Sequence, residues 1–329
     1  MQAARAQEAA EAADPLSRLL AARPWLLTDG ATGTTLFNMG LQAGDAPELW
    51  NADRPDDIRA LYRGAVDAGS DLFLTNTFGG TAARMKLHGA QARVGELNRL
   101  GAALGREVAD AAGRTVIVAG SMGPTGEIME PTGPLSHARA VEMFHEQAEG
   151  LREGGADVLW AETISAPEEY RAAAEAAQLA GMPFCGTMSF DTAGRTMMGL
   201  TSRGLAELVD ALPHPPVAFG ANCGTGAADL LRTVLGIMEA APELPVIAKG
   251  NAGIPKYVAG HIHYDGTPEV MAVPAAALAL LGVYKMLWGT CRWFWTAVHR
   301  AELGTIWREM PASALSHSQV RSLAYTSSP

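Results

Sequence analysis

Cys223 sits in GANCGTG, between glycines at the end of an apolar run. That setting suits an accessible thiolate, the form of cysteine that attacks carbon or binds a metal. Cys185, inside the apolar run PFCGTMSF, reads instead as a buried structural thiol. Glu162 closes the run DVLWAET and would be a partly buried carboxylate. It could capture a ligand ammonium group, or be an ordinary hydrogen-bonded carboxylate at a strand end. The stretch DGATGTTLFNMG gathers glycines behind Asp29, and glycine lets backbone N–H groups approach a small anionic or zwitterionic ligand. Gly-rich turns are common, and this one has neither GxGxxG nor GK[ST], so it does not indicate a nucleotide. His261 and His263, in GHIHYDG, could ligate a metal, but their i, i+2 spacing beside Tyr and Gly reads more simply as a loop.

These residues need elements to position them. Eight short apolar runs begin at Trp25, Asp71, Thr115, Asp157, Pro183, Pro216, Pro245 and, less distinctly, Val283. Between them lie segments such as PDDIRALYRGAVDAG and HARAVEMFHEQAEGLREGG, with apolar residues at helical spacing and a glycine stop. Continuous apolar strands alternating with helices imply a parallel sheet covered by helices. Eight units predict an α/β fold of the (β/α)8 TIM-barrel type with an atypical eighth-strand region, a doubly wound open sheet being the alternative. Asp29, Asn76, Ser121, Glu162, Ser189, Asn222, Cys223 and Asn251 then fall at strand carboxyl ends, where a barrel gathers its active site. For any one of them a polar strand end is ordinary turn chemistry; the recurrence along successive strands is what points to a site.

Composition narrows the partners. A formal charge of −10 over 329 residues leaves no basic footprint for nucleic acid or anionic membranes. The most apolar uncharged run, Val270 to Tyr284, is shorter than the ~20 residues of a membrane span. Three scattered cysteines do not make a disulfide framework, and the acidic, Ala-rich start lacks a signal peptide's apolar core, so a cytoplasmic setting is expected. The chain divides into a helical extension over 1–23, a barrel over 24–300 and a Ser-rich tail over 301–329 expected to be partly disordered.

The stretches TDGATGT, LTNTFGG, AGSMGPTGE, AETISA, SFDTAGRTMMGL, GANCGTG, KGNAGIP and HYDGTPEVM, in that order over roughly residues 25 to 271, resemble the homocysteine S-methyltransferase family. The wording around MKLHGAQARVGELN is similar to bacterial betaine–homocysteine methyltransferases. The resemblance implies a (β/α)8 barrel whose partners are homocysteine and a small methyl donor, and it allows a homo-oligomer. It also implies one catalytic zinc per chain, held by three thiolates. It makes Glu162 and Asp29 the catalytic pair, and gives substrate contacts to Asp29, Gly30, Ala31, Asn76, Ser121, Glu162, Asn222 and Asn251. Asp29, Gly30 and Glu162 would hold the amino-acid end of homocysteine, and Cys223 would be the first zinc ligand.

The sequence departs from the family where an adjacent cysteine pair should follow the eighth strand. Here the chain reads Trp288-Gly289-Thr290-Cys291. A one-residue insertion places Cys291 on a ligand position and Thr290, whose hydroxyl stays protonated near neutral pH, on its neighbour's. Three functional readings result. The first is methyl transfer from glycine betaine to homocysteine, with S-methylmethionine or another onium donor as the alternative. The second is a zinc-deficient relative that binds ligand with little turnover. The third is an unrelated barrel chemistry such as an aldolase, for which Lys249 would be the strand-end lysine.

Overall fold

The computed structural model describes residues 13–23 and 25–251, with the backbone of Lys256–Val258, His261–His263 and Met286–Thr290. The expectations placed on residues 1–12, on Cys291 and on the tail over 301–329 lie outside these residues.

The strands are β1 (Trp25–Leu27), β2 (Leu72–Leu74), β3 (Ile117–Met122), β4 (Val158–Ile164), β5 (Phe184–Met188), β6 (Ala218–Cys223), β7 (Val246–Gly250), β8 (Lys256–Val258), β9 (His261–His263) and β10 (Met286–Thr290). Eight of them form one sheet in the order β1-β10-β7-β6-β5-β4-β3-β2, with each pair parallel. Each expected apolar run supplies one of its strands, and β10, from the atypical eighth run, lies between β1 and β7. Within GHIHYDG, the part read as a loop at His261–His263 is a strand. His261–His263 pairs antiparallel with Lys256–Val258, as Tyr257, Val258 and Ile262 favour extended pairing.

The two strands at the ends of this order meet through side chains as well as backbone. Asp71 N–H donates to Leu27 O at 2.7 Å, and Leu27 N–H donates to Asp71 Oδ2 at 3.0 Å. Further along, Ser70 Oγ donates to Thr28 O at 3.2 Å and Leu74 N–H to Asp29 Oδ2 at 2.9 Å. Arg23 pairs with Asp71 at 2.7 Å. Two aspartates thus take the place of ladder carbonyls across this seam.

The helices are α1 (Pro15–Ala22), α2 (Thr32–Asn38), α3 (Pro55–Asp67), α4 (Val94–Asp110), α5 (His137–Glu153), α6 (Pro167–Leu179), α7 (Ser202–Asp210) and α8 (Ala227–Ala240), with shorter helical turns between them. Their starts follow local chemistry. Asp14 accepts from Ser17 N–H at 2.9 Å with Pro15 opening α1, and Ser136 and Thr201 cap α5 and α7. No helix among the described residues is long and apolar enough to cross a membrane.

Alternation along the strands sorts side chains into two cores. Leu27, Leu159, Phe219 and Ala248 join the layer between sheet and helices. Leu26, Leu72, Ile117, Val158, Trp160, Cys185, Ala218 and Ile247 join a separate inner cluster, together with Leu16 and Leu20 of α1. Helix α1 therefore packs into the inner core. Truncating the fully buried Leu16 to Ala should cost about 2–5 kcal/mol. At ~2–4 °C per kcal/mol that lowers the melting temperature by about 5 °C or more, and an unchanged melting curve would show that α1 does not support the core.

Candidate active site

Above the apolar rows the same inward alternation brings up polar side chains: Ser121 on β3, Glu162 on β4, Asn222 on β6 and Lys249 on β7. A cavity of about 490 Å3 lies against these strand ends, bordered by Gly30, Ala31, Asn76, Glu162, Asn222, Cys223, Lys249 and Asn251 among others. Two of the residues expected at the site, Asp29 and Ser121, stand behind this lining and bond to residues in it.

Asp29 is 5% exposed and has both carboxylate oxygens engaged. Oδ1 pairs with Lys249 Nζ at 2.7 Å, and Oδ2 accepts from Leu74 N–H at 2.9 Å. Lys249, also 5% exposed, is one of the residues that border the cavity. Ser121 Oγ donates to Glu162 Oε1. The Glu162 carboxyl is pushed above the usual carboxylate range, first by burial and then by the nearby Asp29 charge. Lys249 and the Ser121 hydroxyl pull it back only in part.

Cys223 is held in an unusual backbone conformation. Cys223 and Thr163 both have φ of 60°, in the left-handed region that non-glycine residues rarely enter. Thr163 lies where the β4–β5 register shifts, between Ala161 and Ile164. Asn222 ties the two together. Its Oδ1 accepts from Thr163 N–H at 2.9 Å, and its Nδ2 donates to Thr163 Oγ1 at 2.7 Å and to Cys223 Sγ at 3.2 Å. Asn251 bonds to the same loop, donating from Nδ2 to Gly224 O at 2.8 Å. Asn76 lines the cavity but is also scaffold, donating from Nδ2 to Pro47 O and Asn51 Oδ1 while its N–H donates to Tyr62.

Cys185 is fully buried in the inner cluster, and burial raises its thiol pKa. Ser189 is buried, and its N–H donates to Ile164 O. Sequence reasoning offered Lys249 only as a strand-end lysine for an aldolase and pointed to no role for Thr163. Lys249 had a signal, because it lies two residues after the inward Ile247 on the same strand. Thr163 had none, since a register shift leaves no trace in residue types.

A four-coordinate zinc needs several N, O or S ligands at one point. Among the described residues no group of three or more His, Cys, Asp or Glu side chains is so placed. These residues, with Cys223 as the cavity thiol, do not by themselves fit a zinc ion.

The sequence pattern of the homocysteine S-methyltransferase family matches residues 26–300. The methionine synthase of Mycobacterium tuberculosis (strain ATCC 25618 / H37Rv) is 30% identical over 281 residues, covering 81% of this chain and 23% of that protein. That of Mycobacterium leprae (strain TN) is 28% identical with the same coverage. The chain thus spans about a quarter of the length of these relatives. In solved structures, the oxidized form of the homocysteine methyltransferase MmuM from Escherichia coli matches with a TM-score of 0.66 at 25% identity, covering 89% of this chain and 99% of that one. The metallated form of MmuM matches at 0.63 and 25%, covering 85% and 96%. With most of its length matched by one family pattern and its fold shared with a methyltransferase of that kind, the chain belongs to the homocysteine S-methyltransferase family.

Proposed function

We propose that this chain transfers a methyl group from glycine betaine to the sulfur of L-homocysteine, giving methionine and dimethylglycine. The observation that carries the reading is that the Cys223 and Glu162 positions border one cavity of about 490 Å3 at the strand carboxyl ends. That volume suits small-molecule ligands. The reading takes the sheet as a closed (β/α)8 barrel, supported by the hydrogen bonds that join β1 to the start and end of β2.

Glu162 is suited to the substrate ammonium, because a half-buried carboxylate whose ionisation is disfavoured by its surroundings gains from an arriving cation. Gly30, Ala31, Asn222 and Asn251 complete the substrate's surroundings in this reading. Phe78 borders the cavity and could face an onium methyl group through its ring. Glu48, Arg84 and His88 also border it, and their mixed charge suits a zwitterionic donor such as betaine. In the transfer, the homocysteine sulfur forms a bond to the methyl carbon as the carbon–nitrogen bond of betaine breaks. The electron pair leaves with nitrogen, and the thiol proton passes to solvent or to the amine product. The protein's part is to fix the two reactants in line and exclude water.

Membership of the family and the metallated form of MmuM support a bound metal, which this proposal takes as one zinc per chain with Cys223 and Cys291 as thiolate ligands. Backbone register adds to this, because Cys223 and Thr290, the residue before Cys291, are both Cα partners of Gly250. A thiol substrate and thiolate ligands suit a reducing compartment, in keeping with the cytoplasm.

Purified protein should contain about one zinc per chain by elemental analysis and form methionine from homocysteine and glycine betaine. Methionine from S-methylmethionine alone would move the donor to a sulfonium. No turnover of either donor by zinc-loaded protein would sink the methyltransferase reading. Cys223→Ser should lower both retained zinc and kcat/KM, the latter by ~100-fold or more.

Glu162→Gln separates stability from binding. An unfolded glutamate titrates near ~4.3, and the folded pKa is raised. Folding therefore favours the protonated form, so the contribution is greatest at low pH. It is lost as pH rises through the folded pKa, so towards neutral pH the carboxyl becomes a cost to stability. The variant should melt a few degrees higher at pH 7, at ~2–4 °C per kcal/mol relieved. Its homocysteine KM should rise ~10-fold or more through loss of a charge-assisted hydrogen bond. A lower melting temperature with unchanged KM would assign Glu162 to the scaffold.

A further inference from the structure

We propose that the Glu48 carboxylate receives the onium centre of the methyl donor, a methylated ammonium or sulfonium cation, and that Gly79 is the opening through which they meet. The proposal rests on the reading that this cavity takes such a donor. It names the group that tells a cationic donor from a neutral molecule of the same shape.

Three observations carry it. Glu48 borders the cavity although it is only 4% exposed. One oxygen, Oε1, accepts from Gly79 N–H at 2.6 Å. The other has no hydrogen-bond partner among the described residues, and it is not one of their enclosed unpartnered atoms. The little surface that Glu48 keeps is therefore surface on the cavity. Gly79, which also borders the cavity, explains why it is kept. A Cβ at Gly79 would lie 2.9 Å from Oε1 and 3.5 Å from Oε2, so a side chain there would crowd the carboxylate and cover it. The third observation is the neighbour. Phe78 borders the cavity too, and its ring lies so close over Gly123 that a Cβ there would sit 2.6 Å from it. An aromatic ring fixed one residue from the carboxylate's anchor is a setting for a methylated cation.

The chemistry of the wall fits an onium centre. Such a centre has no N–H to donate, so it needs a negative charge and apolar contact rather than directed acceptors. Burial makes the Glu48 carboxylate costly to ionise alone, and an arriving cation offsets that cost. Arg84 acts on Glu48 through space, and no ion pair joins the two among the described residues. It borders the cavity as well, so the same wall has a positive charge for the carboxylate of a zwitterionic donor. The contact also has a kinetic signature. The donor's positive charge vanishes as its methyl group departs, so Glu48 stabilises the bound donor more than the transition state. A carboxylate that only anchored Gly79 would give no preference for charge.

Titration calorimetry on the full chain tests this with glycine betaine and with 3,3-dimethylbutanoate, which has the same shape but carbon in place of the charged nitrogen. L-homoserine is present to fill the amino-acid side without a thiol to methylate. Wild-type protein should bind betaine about 10-fold more tightly than its carbon counterpart. Glu48→Gln, whose amide oxygen still accepts from Gly79 N–H, should bring the two ligands within about threefold by weakening betaine. In turnover it should raise the betaine KM about 10-fold without lowering kcat. Glu162→Gln should keep the preference. A folded Glu48→Gln protein with the wild-type preference overturns the proposal, and so does loss of the preference in Glu162→Gln instead. Should Glu48→Gln fail to fold, Gly79→Ala takes its place: loss of the preference supports the proposal and its retention overturns it. Wild-type protein that binds both ligands alike overturns the role of Glu48 but not the donor reading. Failure of the wild-type chain to bind either betaine or dimethylsulfonioacetate overturns both.

Discussion

Asp29 joins the scaffold to the site, and much of the molecule's organisation depends on its two bonds. Through Oδ2 it binds Leu74 N–H, so the end of the first strand segment is fastened to the end of β2. Through Oδ1 it binds Lys249 and so reaches β7 across β10 in the sheet order. With Asp71 fastening the start of the same seam, two carboxylates supply acceptors where the strand ladder provides none. Buried ion pairs are rarely a net source of stability, because desolvation offsets most of the attraction. Breaking one is another matter, at about 3–5 kcal/mol, since the survivor is left charged and unpaired. The Asp29–Lys249 pair is thus better understood as a specifier of register and charge placement than as a contribution to stability.

The second constraint is backbone strain at Thr163 and Cys223. Each left-handed non-glycine residue costs on the order of 1–3 kcal/mol and persists only when its surroundings over-determine it. Here Asn222 does so with three hydrogen bonds to the two residues. The register shift on β4 and the turn after β6 are therefore one feature seen from two strands. Its effect is to bring a β-branched residue and a thiol to the same point of the cavity lining. Glu162, immediately before Thr163, takes its position from the same shift.

Much of this was legible in the sequence because burial on both faces of a parallel sheet produces continuous apolar runs. All eight runs mark strands, including the indistinct one that overlaps Met286–Thr290. Placement at strand carboxyl ends was legible too, and Gly30, Ala31, Asn76, Glu162, Asn222, Cys223 and Asn251 do border one cavity. Pairing was not. Asp29 stood out as a lone carboxylate in a Gly-rich turn, yet its partner lies 220 residues away, and no local pattern encodes that distance. Lys249 looked at most like an aldolase lysine for the same reason. Asn76 resembled a pocket residue, but its amide is committed to Pro47 and Asn51. The His261–His263 strand was missed because three extended residues beside glycine have the composition of a turn.

Strand-row and loop residues of the cavity are held by different amounts of structure. Glu162, Asn222 and Lys249 each bond across to another strand or to a strand end, so a change at one is transmitted to its neighbours. Phe78, Arg84 and His88 come from the segment after β2. That segment is anchored chiefly from beneath, where Glu48 accepts from Gly79 N–H at 2.6 Å and Asn98 donates to Gly80 O at 2.8 Å. Both anchors act on the backbone, so the side chains at 78, 84 and 88 can be exchanged without unmaking either bond. The strand row, in which each side chain is also part of the scaffold, has no such freedom. Substitution is therefore less costly to the scaffold at the loop wall of the cavity than along the strand row.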